Sequence, residues 1–227
     1  MTEVSMIGLD LAKNTFHAHG ENADGSVAFR KKLRRDKVMD FFAGQPRCTV
    51  AMEACASAHF WGRSLQELGH EVRLVPPVYV KPFVKRQKND TADAEAIAEA
   101  AGRPTMRFVA VKSEAKQAQA MAFKTRDLLV RQRTQTINAL RGNLAEFGVV
   151  APQGPANVER LRGAVDEVET SLPAEVVELA QNLLANIDTL TEQIEAIERD
   201  IKQHARRQET SKQIMRIPGV GPIGATA

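Results

Sequence analysis

Aromatic residues and cysteines are scarce in this chain. Only 5% of its 227 residues are aromatic, so a hydrophobic core has to be built mainly from aliphatic side chains. Cys48 and Cys55 are the two cysteines, which is too few for the disulfide framework of a small secreted domain. The sequence also lacks CxxC and HExxH motifs, and a zinc site is therefore not expected.

Long apolar runs and strong net charge are absent as well. No segment is apolar for long enough to span a bilayer, and the N-terminus lacks the basic start of a signal peptide, so we expect a cytoplasmic protein with no membrane partner. The formal charge of +3 is too small to identify a nucleic-acid partner by itself. The hydrophobic content of 43% is sufficient for one sizeable core with further helical material.

The first third of the chain alternates between strand-like and helix-like patterns. An apolar run at residues 5–11 is typical of a central strand, and the Asp24-Gly25 pair between two further strand-like runs is typical of a hairpin turn. An antiparallel meander followed by strand–helix–strand units is the order of a ribonuclease H-like α/β domain, a mixed sheet with flanking helices. The predicted elements are strands at 5–11, 16–20, 26–33, 48–53 and 71–75 and helices at 36–43 and 56–68.

Two long helix-compatible stretches follow, at residues 113–147 and 173–206, with a linker at 151–155. The second stretch carries a narrow apolar stripe that is typical of a coiled-coil arm. Its partner is either the first helix or a second copy, and we expect a homo-oligomer, a dimer or a tetramer, formed through this arm. The predicted regions are a ribonuclease H-like domain at 1–112, a helical coiled-coil region at 113–210 and a last segment at 211–227. The stripe comprises Val176, Leu179, Leu183, Ile187, Leu190, Ile194, Ile197 and Ile201.

Acidic residues stand near the ends of two predicted strands. Asp10 lies on the first strand and Glu53 on the fourth, and in a ribonuclease H-like sheet the carboxyl ends of these parallel neighbours meet at one edge. Asp90 and Asp93 lie three residues apart at the start of a predicted helix, so both can face one site. Four convergent carboxylates suit Mg²⁺ or Mn²⁺. Helix capping is the alternative for Asp90, Asp93 and Glu53, whereas a carboxylate within the apolar segment around Asp10 is costly without a partner.

Four motifs, taken together, resemble a single family. They are GLDLAKNTF at 8–16, AMEAC at 51–55, KNDTADAEAIA at 88–98 and RIPGVGPIGA at 216–225. These motifs resemble the successive signatures of the DEDD insertion-sequence transposases, whose members are similar to RuvC resolvases and include RNA-guided recombinases. The resemblance implies a DNA transposase or recombinase that cleaves and exchanges DNA strands, with DNA and a guide RNA as partners. It also implies that Asp10, Glu53, Asp90 and Asp93 form the catalytic, metal-binding tetrad.

The resemblance further implies a second, C-terminal domain that contributes a catalytic serine. The segment 211–227 resembles the opening of that domain, which we expect to be truncated here. No serine follows Ser211, so the nucleophile is not expected on this chain.

Basic residues occur in two places where nucleic acid could bind. One set directly precedes Asp90, next to the proposed metal site, where the phosphates of a substrate need counter-charge. The other lies along one face of the first long helix, with spacings of seven and eight residues. The alternative for both sets is an ordinary solvated surface. The candidates are Lys81, Lys85, Arg86 and Lys88 in the first set and Arg126, Arg133 and Arg141 in the second.

Two other functions are compatible with parts of this pattern. An actin-like ATPase shares the opening meander and an early aspartate, but Asp10 is followed by Leu-Ala-Lys-Asn-Thr instead of a glycine-rich phosphate loop. A non-catalytic nucleic-acid-binding and dimerisation module would use the basic helix and the coiled coil. Metal-dependent DNA cleavage would distinguish this module from a nuclease.

His17 and His19, which alternate on one predicted strand, are interpreted as surface residues.

Overall fold

The computed structural model of the chain describes residues 4–84, 90–167 and 172–226, without the side chains of Asp90 and Thr91. The chain divides into two compact units, Met1–Ala115 and Lys116–Ala227. Among the helices in the described ranges, none is both long enough and apolar enough to cross a membrane.

The first unit is built on a five-stranded mixed sheet with the order β3-β2-β1-β4-β5. The first three strands are antiparallel neighbours, whereas β4 is parallel to β1 and β5 is parallel to β4. This topology confirms the predicted ribonuclease H-like order, because a meander is followed by two strands added through crossovers. The elements are β1 (Val4–Asp10), β2 (Thr15–Asn22), β3 (Val27–Arg34), α1 (Val38–Ala43), β4 (Thr49–Glu53), α2 (Ala58–Glu67), β5 (Glu71–Val75), α3 (Pro77–Val80) and α4 (Asp90–Ala101).

Both faces of the sheet are covered, which explains the nearly continuous apolar character of the central strands. On one face, Leu9 and Met52 join a core with Phe42 of α1 and with Trp61 and Leu65 of α2. On the opposite face, a second core connects β4 and β5 to the alanine-rich surface of α4. Its buried members are Ala51, Val75, Val80, Ala96, Ile97, Ala100 and Ala101.

The second unit is dominated by two long antiparallel helices. Arg126 and then Arg133 on the first helix contact Glu198 and then Thr191 on the second, so the contacts advance along one helix while they go back along the other. The partner of the apolar stripe is therefore a helix of the same chain. The elements are α5 (Glu114–Ala145), α6 (Val158–Asp166), α7 (Ala174–Arg207), α8 (Glu209–Ile214) and α9 (Pro222–Thr226).

The buried face of α7 agrees with the predicted stripe at Ile187, Leu190, Ile194 and Ile201 but differs from it near the start of the helix. Leu179 is 64% exposed, and its place in the core is taken by Ala180, with Leu184 as the next buried residue. The buried residues of α7 are Ala180, Leu184, Ile187, Leu190, Ile194, Ile201 and Ala205. The predicted Val176 and Leu183 are partly buried against the same core. Thr191 and Glu198, which contact arginines of α5, are also partly buried.

Helix α6 was not predicted, although its pattern is visible in the sequence. Val158, Leu161 and Val165 recur at helical spacing and are buried against the long helices. They complete a core with Ile137, Leu140 and Leu144 of α5 and Ala180, Leu184 and Ile187 of α7.

Candidate active site

Asp10 and Glu53 are the last residues of two neighbouring parallel strands. The register of β1 and β4 runs from Met6 opposite Thr49 to Leu9 opposite Met52, and the two carboxylates are the next residue on each strand. Adjacent strands lie about 4.8 Å apart, so both side chains leave the sheet at the same point of its carboxyl edge.

Both carboxylates belong to the face of the sheet that α4 covers. Leu9 and Leu11 pack into the core on the α2 side, and Asp10 lies between them. Met52 and Ala54 pack into the same core on either side of Glu53. Because successive side chains of a strand point to opposite faces, Asp10 and Glu53 share the other face.

The thiol of Cys55 lies within electrostatic range of both carboxylates. Burial raises the pKa of this thiol, and the negative charges of Glu53 and Asp10 raise it further. The two carboxylates thus act on one sulfur atom, two residues beyond the end of β4. Carboxylates at neighbouring strand ends carry like charges that repel each other, and a bound cation would relieve the repulsion.

Helix α4 approaches β1 closely because Gly8 has no side chain. A Cβ atom on Gly8 would overlap the carbonyl oxygen of Ala94 and would lie 2.9 Å from the Cβ of Ala98. Asp93 immediately precedes Ala94 and is partly buried. It therefore lies at the start of a helix that is packed on the same sheet face as Asp10. Gly8 is thus a positioning residue that was not predicted, although GLDLA places it two residues before Asp10.

The structure shows the location of three of the four predicted carboxylates. Asp10 and Glu53 lie at one sheet edge, Asp93 lies on α4, and the side chain of Asp90 is outside the described residues. Within the described part of the chain, no group of three or more histidine, cysteine, aspartate or glutamate side chains is close enough to hold a metal ion. The convergence of all four carboxylates stays a prediction.

Two histidines of β2 lie beside the carboxylate-bearing strand. His17 is partly buried and is the cross-strand partner of Asp10. His19 is only 1% exposed, and its Nε2 lies 3.1 Å from Glu21 Oε1. The surface location predicted for His19 is therefore wrong, because α4 extends across this face of β2. Alternation along β2 was the available signal, since it places both histidines on the face of the sheet that also carries Asp10.

The predicted basic residues lie in two different structural settings, the segment after α3 and the helix α5. Lys81 is exposed after α3, whereas Lys85, Arg86 and Lys88 lie outside the described residues. On α5, Arg126 forms an ion pair with Glu198, with 2.8 Å between Nη2 and Oε1. This pairing raises the pKa of Arg126 and lowers the pKa of Glu198.

The other two arginines predicted to bind nucleic acid, Arg133 and Arg141, also form hydrogen bonds within the chain. Arg133 Nη1 donates to the Thr191 hydroxyl at 3.3 Å, and Arg141 Nε donates to the Ala151 carbonyl at 3.1 Å. The seven-residue spacing of Arg126 and Arg133 thus matches the contact line between α5 and α7. Their predicted binding of nucleic acid is untested, and any such role has to coexist with these contacts.

A family model described as a transposase, of the DEDD type named for IS110, matches residues 7–148. The match covers more than half of the 227 residues and includes Asp10, Glu53, Asp90 and Asp93. The chain belongs to this family. An IS110-type DEDD transposase is a DNA-cleaving enzyme of transposition. The predicted function of a DNA transposase is therefore confirmed, and the ATPase alternative is rejected.

Curated relatives agree with this membership. The IS110-type chain is 44% identical to the transposase for insertion sequence element IS1328 of Yersinia enterocolitica, over 100% of this chain and 67% of the relative. It is 46% identical to a probable family 20 transposase of Pseudomonas aeruginosa, over 99% and 67% of the two chains. The transposase for insertion sequence element IS1111A of Coxiella burnetii is 34% identical over 99% and 62%. The chain thus spans about two thirds of the length of these relatives.

Proposed function

We propose that this transposase chain uses Asp10, Glu53, Asp90 and Asp93 to hold Mg²⁺ or Mn²⁺ during DNA strand cleavage and exchange, and that a guide RNA selects the DNA. The observation that carries the metal site is the placement of Asp10 and Glu53 at the ends of adjacent parallel strands, on the face that α4 covers. Asp93 at the start of α4 supports it, because Gly8 brings this helix close to β1.

The chemistry of these side chains fits a hard divalent cation. Carboxylate oxygens are the preferred ligands of Mg²⁺, and two of them at neighbouring strand ends carry like charges that a cation neutralises. When bound, the ion stabilises negative charge on the phosphate that reacts. The protein's own part is to hold the carboxylates at one edge and to keep α4 seated over β1.

Metal binding is tested directly with Mn²⁺ on the purified chain. Isothermal titration should detect Mn²⁺ binding, and Asp10→Asn and Glu53→Gln should each abolish it or weaken it by a large factor. Asp24→Asn is the matched control, because Asp24 lies in the β2–β3 turn at the opposite edge of the sheet and bonds to Ser26. Equal Mn²⁺ binding by all four proteins would refute the carboxylate site.

A transposition assay distinguishes a catalytic role of the carboxylates from a module that only binds nucleic acid. In cells that carry the insertion sequence encoding this chain, we expect Asp10→Asn to abolish transposition while the protein level stays unchanged. Asp24→Asn should leave transposition near the wild-type rate. Undiminished transposition by Asp10→Asn would instead favour a module that only binds nucleic acid.

Nucleic-acid binding is assigned to the basic segment before α4. Lys81 is exposed there, and Lys85, Arg86 and Lys88 follow within the stretch that leads to Asp90. A cluster of this kind next to a carboxylate site supplies the counter-charge that phosphates need, so binding should weaken steeply with salt. Replacing Lys85 and Lys88 by Gln should flatten the salt dependence measured with structured RNA transcribed from the element. RNA binding without salt dependence would contradict the assignment.

We also propose that the α5–α7 pair is a short antiparallel coiled coil used for self-association. The heptad-like spacing of the α7 stripe supports the coiled coil. Because α5 already covers this stripe, a second copy would have to bind outward residues such as Phe147 and Leu179, which are 47% and 64% exposed. Light scattering should then show a dimer or tetramer for the wild type and a smaller mass for Leu179→Lys. An unchanged mass would refute this surface.

A further inference from the structure

An open groove of about 670 Å³ lies at the carboxyl edge of the sheet. Asn14 belongs to the connection from β1 to β2, Arg34 ends β3, and Phe60 lies in the first turn of α2, just after β4. These segments meet at the edge that also carries Asp10 and Glu53, and the groove lies on the α2 side of that edge. Its lining residues are Asn14, Arg34, Arg35, Asp36, Phe60 and Trp61.

Arg35 is held in the groove by aromatic rings. The guanidinium carbon lies 5.2 Å from the centre of the Trp61 ring and 5.7 Å from that of Phe16. Its backbone N–H also donates to the Asn14 carbonyl at 2.9 Å, which continues the pairing of β2 and β3. Arg34 is already paired with Asp36, but no acidic side chain within the described residues pairs with the exposed Arg35. Arg35 Nη1 donates to the Lys13 carbonyl at 3.4 Å, a neutral acceptor, so its positive charge stays open to an anionic ligand.

Phe60 presents a large exposed ring beside this cation. Its side chain is 51% exposed and meets Trp61 edge to face, with ring centres 5.2 Å apart. Exposure of an aromatic ring is costly, and this chain has few of them. A planar cation next to an exposed ring is the combination that binds unpaired nucleotides, with phosphate at the cation and a base stacked on the ring.

We propose that the groove formed by Arg35 and Phe60 binds a single-stranded nucleic-acid segment beside the carboxylates. The site rests on the proposed function, since the bound strand would continue over the sheet edge toward Asp10 and Glu53. An acidic protein segment could pair with Arg35 but would gain little from the Phe60 ring. Duplex DNA would present phosphates but keep its base faces stacked. Unpaired nucleotides use both features of the groove.

The single tryptophan of the chain allows a direct test, because Trp61 lies under Arg35 and beside Phe60. The purified chain is titrated with a labelled oligothymidylate in EDTA, and both anisotropy and Trp61 emission are followed. We expect saturable binding that changes the Trp61 emission. Phe60→Leu should weaken binding roughly five- to hundred-fold, whereas Phe60→Tyr should keep it. Arg35→Lys should also weaken it, because lysine keeps the charge but loses the planar group.

Phe108→Leu is the matched control. Phe108 is 40% exposed and also packs against an arginine, Arg73, but Arg73 lies in the middle of β5 and not at its carboxyl end. Loss of affinity in Phe108→Leu equal to that in Phe60→Leu would overturn the proposal. So would binding without a change in Trp61 emission, or an equal Trp61 response to an acidic polypeptide such as polyglutamate.

The proposed metal site is tested separately from the groove on the same protein preparation. Mn²⁺ binding is measured by titration without oligonucleotide, and oligonucleotide binding is measured in EDTA. A chain that binds oligothymidylate through Phe60 but takes up no Mn²⁺ refutes the metal site alone. A chain that takes up Mn²⁺ but binds equally well with Phe60→Leu refutes the groove alone.

Discussion

Gly8 of β1 packs directly under Ala94 of α4, with no room for a side chain between strand and helix. Ala94 follows Asp93, and Gly8 stands two residues before Asp10. The position of Asp93 relative to Asp10 therefore depends on the absence of a Cβ atom at position 8. This dependence couples the stability of the first unit to the geometry of its carboxylates.

Gly8→Ala should destabilise the first unit. The added methyl group meets helix backbone instead of a flexible side chain, so α4 has to move, at a cost of about 1–3 kcal/mol. Urea unfolding followed by circular dichroism measures the loss. Gly142→Ala is the control, since Gly142 lies in α5 with open space around its Cα, and alanine should stabilise that helix by about 0.5–1 kcal/mol. Equal stability of Gly8→Ala and the wild type would show that α4 is not packed as described.

Cys55 should report the charge state of the carboxylates. Glu53 and Asp10 both raise the pKa of this thiol, so removing either negative charge lowers the pKa and increases the thiolate fraction at a fixed, mildly alkaline pH. Asp10→Asn and Glu53→Gln should therefore speed the alkylation of Cys55 by iodoacetamide, and added Mn²⁺ should speed it in the wild type.

Cys48 does not interfere with this measurement. It is buried, and burial raises its pKa to about 11, so its thiolate is rare under the same conditions. Peptide mass spectrometry separates the two sites. Asp24→Asn should leave the rate at Cys55 unchanged, and a slower reaction in Asp10→Asn would contradict the placement of Asp10 near the thiol.

The sheet was predictable from the sequence because its signals are local. Apolar runs, the Asp24-Gly25 turn and the glycine after α2 define the five strands to within a few residues. The strand-end positions of Asp10 and Glu53 follow from the same signals. The packing on the two faces of the sheet was harder to predict from the sequence. The burial of His19 and the contact of Gly8 with α4 depend on the position of a helix that is distant in sequence.

In the helical unit, too, the buried side chains and the long-range contacts depend on how distant segments pack. Both Leu179 and Ala180 fit a helical period, and hydrophobicity favours the leucine, yet the position of α5 selects the alanine for the core. Arg126 and Arg133 were interpreted as a nucleic-acid surface because their seven-residue spacing places them on one face of a helix. Their acceptors, Glu198 and Thr191, are more than fifty residues away in sequence, and no local pattern connects them.

The pair of Arg126 and Glu198 should make the helical unit sensitive to acid. Glu198 accepts from Arg126 Nε at 3.0 Å and Nη2 at 2.8 Å, and these bonds lower its pKa below the ordinary value of 4.5. A carboxylate with a depressed pKa in the folded state stabilises the fold above its unfolded pKa, and this contribution is lost as the pH falls through the folded pKa.

The free energy of unfolding should therefore fall below about pH 4.5 by about 1–2 kcal/mol more in the wild type than in Glu198→Gln. Chemical denaturation at several pH values measures the difference. Glu195→Gln is the control, because Glu195 is largely exposed and lies 4.0 Å from Arg199. It should follow the wild-type pH dependence. Parallel pH curves for the wild type and Glu198→Gln would show that the pair does not contribute.

The register of α7 is tested by two leucines on the same helix. Leu184 is 2% exposed and packs against α5 and α6, whereas Leu179 is 64% exposed. Leu184→Ala should cost about 2–5 kcal/mol through lost burial and the cavity left behind, whereas Leu179→Ala should stay within about 0.5 kcal/mol of the wild type. The change in helix propensity is the same in both variants and cancels in the comparison. Denaturation followed by circular dichroism at low protein concentration gives both values. Equal losses would restore the predicted stripe through Leu179, while a loss for Leu179→Ala that grows with protein concentration would indicate that this residue is buried between copies of the chain.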